Sequence, residues 1–231
     1  DLADAIDAVA PAVDAGAALL PLLNGLAHME VLNNRFGREN VLGGLAKIAA
    51  TVGKDGIIKH LNDWRYITFG EQNGDMSERV ATLKGMFDAT SVEASAVADI
   101  QARMWEKLVH LATVASATCM MRASVGEIAR TPFGSDIRKE LFEEMAAIAA
   151  GHAVHISDAF RTEYHTLFEN TSSPYTASML RDLEQGKMTE GEHIVGFAVD
   201  RARDLGIAAP LLRVAYTHLM AYEERRLAGR L

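Results

Sequence analysis

One cysteine, Cys119, is all the chain contains, so no disulfide can close within it and a reducing cytosol suits it best. Aromatic residues are few at 6%, and prolines number five. The most apolar stretch, residues 108–121, is broken by His110, Thr113, Ser116 and Thr118. It falls short of the ~18–20 residues that a membrane span needs, so no membrane partner is expected. Positive charge is also in deficit. Lys+Arg 23 against Asp+Glu 31 leaves −8, without the basic footprint of a nucleic-acid binder. The opening Asp-Leu-Ala-Asp lacks the basic and apolar regions of a secretory leader. G-x-G-x-x-G, G-x-x-x-x-G-K-[ST] and G-x-S-x-G are all missing, and no repeat is visible. What is present is an ordinary globular composition, 231 residues with 49% hydrophobic and 23% charged, ample for a buried core.

Residues 1–96 mix helix and strand signals. Leu2, Ile6, Val9 and Val13 form a helical stripe. Ala17-Ala-Leu-Leu-Pro-Leu-Leu23 reads as a buried strand ending at an Asn24-Gly25 turn. Residues 41–51 read as a second strand, and residues 57–69 as a hairpin turning at Asn62-Asp63. Ser77 can cap a helix running to Asp88. Residues 97–231 read as helix after helix. Ser173-Pro174 looks like a helix start with Gly186 as its stop, Thr189-x-x-Glu192 like a capping box, Gly206 like a stop and Pro210 like a start. A mixed α/β portion is therefore followed by an all-helical one. The first portion begins as if part-way through a βαβ series. A lone half sheet leaves an edge and a face uncovered, so the chain is read either as a C-terminal piece or as one whose sheet something else completes.

The helix over residues 97–121 carries the most informative pattern. Val97, Ile100, Met104, Lys107, Leu111, Val114, Thr118 and Met121 recur at spacings of three and four, beside a second stripe of Trp105, Leu108, Ala112, Ala115 and Cys119. Lys107 lies within the first stripe. Its ammonium either snorkels at the core's edge or faces a cleft with a pKa tuned for proton donation. Glu190, at the start of the capping-box helix, lines up with Ile194, Phe197 and Ala198 on the inward stripe. It suits either the positive helix end or a site. Asn24 follows an apolar run, the place where ligands sit on open α/β sheets, though Asn-Gly is also an ordinary turn. Ser178 is unremarkable by spacing. His152-x-x-His155, read as lying on one helix, and Glu190-x-x-His193 lack the further ligands a metal needs, so no metal is expected. Cys119 reads as inert core.

Leu22-Leu-Asn-Gly25, Val41-Leu-Gly-Gly44, Phe69-Gly-Glu71, Met104-Trp-Glu-Lys-Leu108, Ala177-Ser-Met-Leu-Arg-Asp182, Gly186-Lys-Met-Thr-Glu190 and Gly206-Ile-Ala-Ala-Pro210 together resemble the ketopantoate reductase (2-dehydropantoate 2-reductase) family. The order and distances of these seven pieces also fit, across nearly the whole chain. The resemblance implies an α/β Rossmann-type NADP(H)-binding domain, of which residues 1–96 are the C-terminal part. It implies a helical substrate and dimerisation domain over 97–231, similar to the 6-phosphogluconate dehydrogenase C-terminal domain. The main cofactor-binding segment would precede Asp1, leaving this piece inactive alone. The implied activity is cytoplasmic NADPH-dependent reduction of ketopantoate to pantoate, with a homodimer formed through the helical domain. Lys107 and Glu190 would be catalytic, Ser178 would bind substrate, and Asn24 would contact both substrate and nicotinamide. The chain departs from the family where asparagines give way to Leu111, Ala115 and Tyr175, and where Thr-Glu-Ile-Asp becomes Thr189-Glu-Gly-Glu192. These departures make another 2-oxo acid or carbonyl compound the alternative substrate, and a non-catalytic helical module the alternative role.

Overall fold

A computed structural model describes residues 2–53 and 55–231. These fall into two compact units, one of residues up to 24 with 28–104, the other of 25–27 with 105–231.

In the first unit, α1 (Leu2–Asp14) precedes α2 (Ala27–Phe36), β1 (Gly43–Val52), β2 (Ile58–Gly70), α3 (Glu78–Asp88) and β3 (Glu93–Ala96). The strands form one sheet in the order β1-β2-β3, with β1 antiparallel and β3 parallel to β2. Leu42, Phe69 and Val80 are buried together under Leu20, Ile67, Leu83 and Phe87. Ser77 caps α3 as expected, its hydroxyl accepting from Val80 N.

Two strand expectations need correction. Residues 17–23 do not form a strand, and their only ladder contact is a parallel bridge between Leu19 and Val41. The hairpin closes where Ile57 O accepts from Gly53 N at 2.8 Å, and not at Asn62-Asp63. Residues 57–69 instead belong almost wholly to the single strand β2, whose partner is β1. The Asn62 side chain still acts locally. Its Oδ1 accepts from Trp64 N where the β1–β2 register slips, so the turn chemistry yields a bulge.

The helix α4 (Ile100–Met121) starts three residues later than the periodicity suggests, because Val97 N donates to Phe69 O and stays with the sheet. The second unit takes α4 from Trp105 onward, then α5 (Val125–Ala129), α6 (Gly134–Gly151), α7 (Asp158–Glu169), α8 (Ser178–Glu184), a π-helical turn (Glu192–Gly196), α9 (Phe197–Asp204) and α10 (Pro210–Leu227). This is a partial Rossmann-type α/β portion followed by a helical one. Cys119 on α4 is fully buried. Carboxylates, Glu106 buried and Glu144 half-buried, organise two helix ends. Glu106 accepts from Ser157 N and Oγ at the start of α7, and Glu144 accepts from Leu211 N and Leu212 N at the start of α10. His152 caps the C-terminus of α6 and His155 lies beyond it, so the two histidines do not share a helix. Among the described residues, no helix is long and apolar enough to cross a membrane.

Candidate active site

Between residues 105 and 119, every residue of α4 is buried except Lys107, His110 and Leu111. Their spacings of three and four place them on one face. Burial lowers the Lys107 pKa from its ordinary value, and the charge of Glu190 acts in the opposite direction. The structure thus brings these two predicted residues into electrostatic contact, both within the second unit. Glu190 is exposed, however, and does not point inward as its helical phase suggests.

The reason lies in how its loop is held. Thr189 donates its N–H and its hydroxyl to Glu223 Oε1 of α10, at 2.7 and 2.8 Å. Arg226 Nε donates to the other oxygen of Glu223 at 2.7 Å, and the Tyr222 hydroxyl donates to Lys187 O at 2.6 Å. Burial raises the Glu223 pKa, but the hydrogen bonds from Arg226 and Thr189 outweigh it, and the net shift is downward. The expected capping box does not form. Glu192 instead accepts from the Tyr216 hydroxyl at 2.5 Å. The chain then enters the π-helical turn, a form frequent at functional sites. Gly25, at φ 81°, passes this turn so closely that a Cβ there would lie 2.9 Å from His193 O.

Ser178 is the exposed first residue of α8, preceded by non-helical residues 173–177. Ser173-Pro174 therefore starts no helix. The backbone there is engaged by α5, with Val125 N donating to Tyr175 O at 2.9 Å and Gly126 N to Ser173 O at 3.0 Å. Tyr175 reaches α4, where its hydroxyl lies 3.0 Å from His110 Nε2. Leu111, one turn beyond Lys107, is half-buried, whereas Ala115, a further turn on, is 2% exposed. Asn24, in the first unit, is half-buried in the bend before α2. A recess of about 510 Å³ in that unit surrounds Glu71, whose carboxylate accepts from Arg79 and Ser77. These groups satisfy one another, so the recess is a structural cluster. Among the described residues, no group of three His, Cys, Asp or Glu side chains could hold a metal ion.

The comparisons decide the family. Residues 1–74 match "Ketopantoate reductase PanE/ApbA", and residues 99–223 match "Ketopantoate reductase PanE/ApbA C terminal". The chain belongs to the ketopantoate reductase family. A relative from Bacillus subtilis, named an uncharacterized oxidoreductase YkpB, is 32% identical over 97% of this chain and 74% of its own length. A 2-dehydropantoate 2-reductase from Halobacterium salinarum is 29% identical over 86% of this chain and 65% of its own length. The crystal structure of 2-dehydropantoate 2-reductase from Methylococcus capsulatus superposes with a TM-score of 0.81 at 27% identity, covering 96% of this chain and 75% of that one.

In this ketopantoate reductase family member, the Glu223 clamp and the His110–Tyr175 pair escaped the sequence reading. Each joins residues far apart in the chain, and no local spacing signals them. Glu223→Ala leaves two Thr189 donors without their acceptor and is expected to cost about 1–3 kcal/mol. Glu223→Gln, which still accepts from Thr189, should recover most of that. Denaturant unfolding of both variants measures the difference.

Proposed function

We propose that this chain handles the substrate in NADPH-dependent reduction of a 2-oxo acid, with 2-dehydropantoate to pantoate as the first reaction to assay. The observation that carries the reading is Lys107, a half-buried ammonium on the open face of a largely buried stretch of α4, under the influence of Glu190. Reduction of the carbonyl builds negative charge on its oxygen. Lys107 stabilises that charge and then gives the oxygen a proton. Burial makes the lysine a stronger acid, while the charge of Glu190 opposes that shift. Glu190 also holds the substrate against the lysine, and Ser178 binds the carboxylate end.

NADPH supplies the hydride when bound. Asn24 fits its nicotinamide end. It is a half-buried amide that follows the parallel bridge at Leu19, on the side where open α/β sheets receive ligands. A homodimer through the helical domain belongs to the same reading. The test is NADPH oxidation by the full-length protein over a panel of 2-oxo acids. Turnover of at least one acid is expected. A folded protein that turns over none would overturn the reading in favour of a non-catalytic helical module. A second reading, reduction of a different 2-oxo acid, is favoured by Leu111 one turn from the lysine and by Tyr175 against the neighbouring His110.

A further inference from the structure

Lys107, His110 and Leu111 form the open face of α4, and only the first has a role in the reaction above. Leu111 lies four residues beyond Lys107, about 6 Å along the axis at 1.5 Å per residue. A compound whose carbonyl meets the lysine therefore has neighbouring groups against Leu111 and His110. Two polar atoms of this wall are already engaged with each other. His110 Nε2 and the Tyr175 hydroxyl are 3.0 Å apart and serve each other. Behind them, the rings of Phe168 and Tyr164 stand 5.6 and 6.4 Å from the His110 ring. The wall is therefore built from packed rings and the half-buried side chain of Leu111.

We propose that Leu111, His110 and Tyr175 form a hydrocarbon-accepting subsite, which makes the preferred substrate a 2-oxo acid with a branched aliphatic or aryl side chain and no side-chain hydroxyl. The proposal rests on the reductase reading and narrows its substrate. A hydroxyl pressed against the Leu111 methyl groups gives up water without gaining a partner there, whereas a methyl group gains by leaving water. An apolar pocket rejects an added hydroxyl only moderately, so the preference is expected to be about 10–100-fold.

The test uses two acids that differ by one hydroxyl, 3,3-dimethyl-2-oxobutanoate and its 4-hydroxy derivative, 2-dehydropantoate. kcat/KM with NADPH and calorimetric dissociation constants are measured on the full-length protein and on Leu111→Asn. The hydroxyl-free acid should be favoured in both measurements. Leu111→Asn, which adds a donor and an acceptor to the wall, should shrink that preference about tenfold, the worth of one modest hydrogen bond. Equal or reversed preference, an unchanged ratio in the variant, or binding of neither acid overturns the subsite. If both acids bind with the expected preference but neither is reduced, the subsite stands and the reductase reading falls.

Discussion

Lys107→Ala lowers kcat of the full-length protein by about 10²–10⁴-fold, the usual worth of general acid catalysis, and leaves coenzyme affinity within a few-fold. In the proposed reaction the lysine acts on charge that is absent from the ground state, so its loss is expected to appear in kcat. Stability separates this from simple unfolding. The folded pKa of Lys107 lies below the ordinary 10.5, with burial the main cause and Glu190 opposing. The unfolded chain therefore holds the proton more tightly between the folded value and 10.5, and stability rises with pH across that window. At neutral pH the charged, half-buried lysine is a net cost, so Lys107→Ala should unfold at an unchanged or slightly higher temperature while losing turnover. The wild-type rate should also fall on the alkaline side below pH 10.5, as the lysine loses its proton. A decrease in kcat of less than about threefold, far below the general-acid range, would make Lys107 a snorkelling residue at the edge of the core.

Gly126→Ala should destabilise the helical unit by about 1–3 kcal/mol or more, as overpacking against fixed atoms does. A Cβ at Gly126 would lie 2.7 Å from Ser173 N, Ser173 O and Thr171 O. All three are backbone atoms, so no flexible side chain can swing away to make room. The segment pushed aside leads into Tyr175 and then Ser178, with Val125 N bonded to Tyr175 O beside it. KM for the acid should therefore rise together with the loss of stability. Thermal unfolding and steady-state kinetics on the same preparation measure both. A melting temperature equal to wild type would show that residues 171–173 yield at no cost.

These two sites differ in how far the sequence revealed them. Lys107 was visible because a charged residue interrupts an apolar period of three and four, which is a local signal. The turn of the β1–β2 ribbon was also written in the chain, in Gly53 and in Asp55-Gly56 with Gly56 at φ 77°. Asn62-Asp63 competed as a turn signal, and only the ladder showed that it makes a bulge. Glu190 stood out in the sequence, but its exposed orientation did not. Its outward position follows from Thr189 and Glu223, 34 residues apart. His110 and Tyr175, 65 residues apart, meet only once the helices pack. Pairings of that kind leave no period in the sequence.

The buried Cys119 makes the helical unit its own gauge. The thiol is enclosed on all sides, and burial, the largest influence on it, pushes its pKa up to about 12. An alkylating reagent must therefore wait until α4 parts from its neighbours. With one thiol in the whole chain, each labelled molecule records one such opening, free of background from a second site. A compound that seats on the Lys107 face of the same helix favours the closed form and slows that clock in proportion to its occupancy. Labelling rates could thus rank ligands without turnover, coenzyme or any engineered probe.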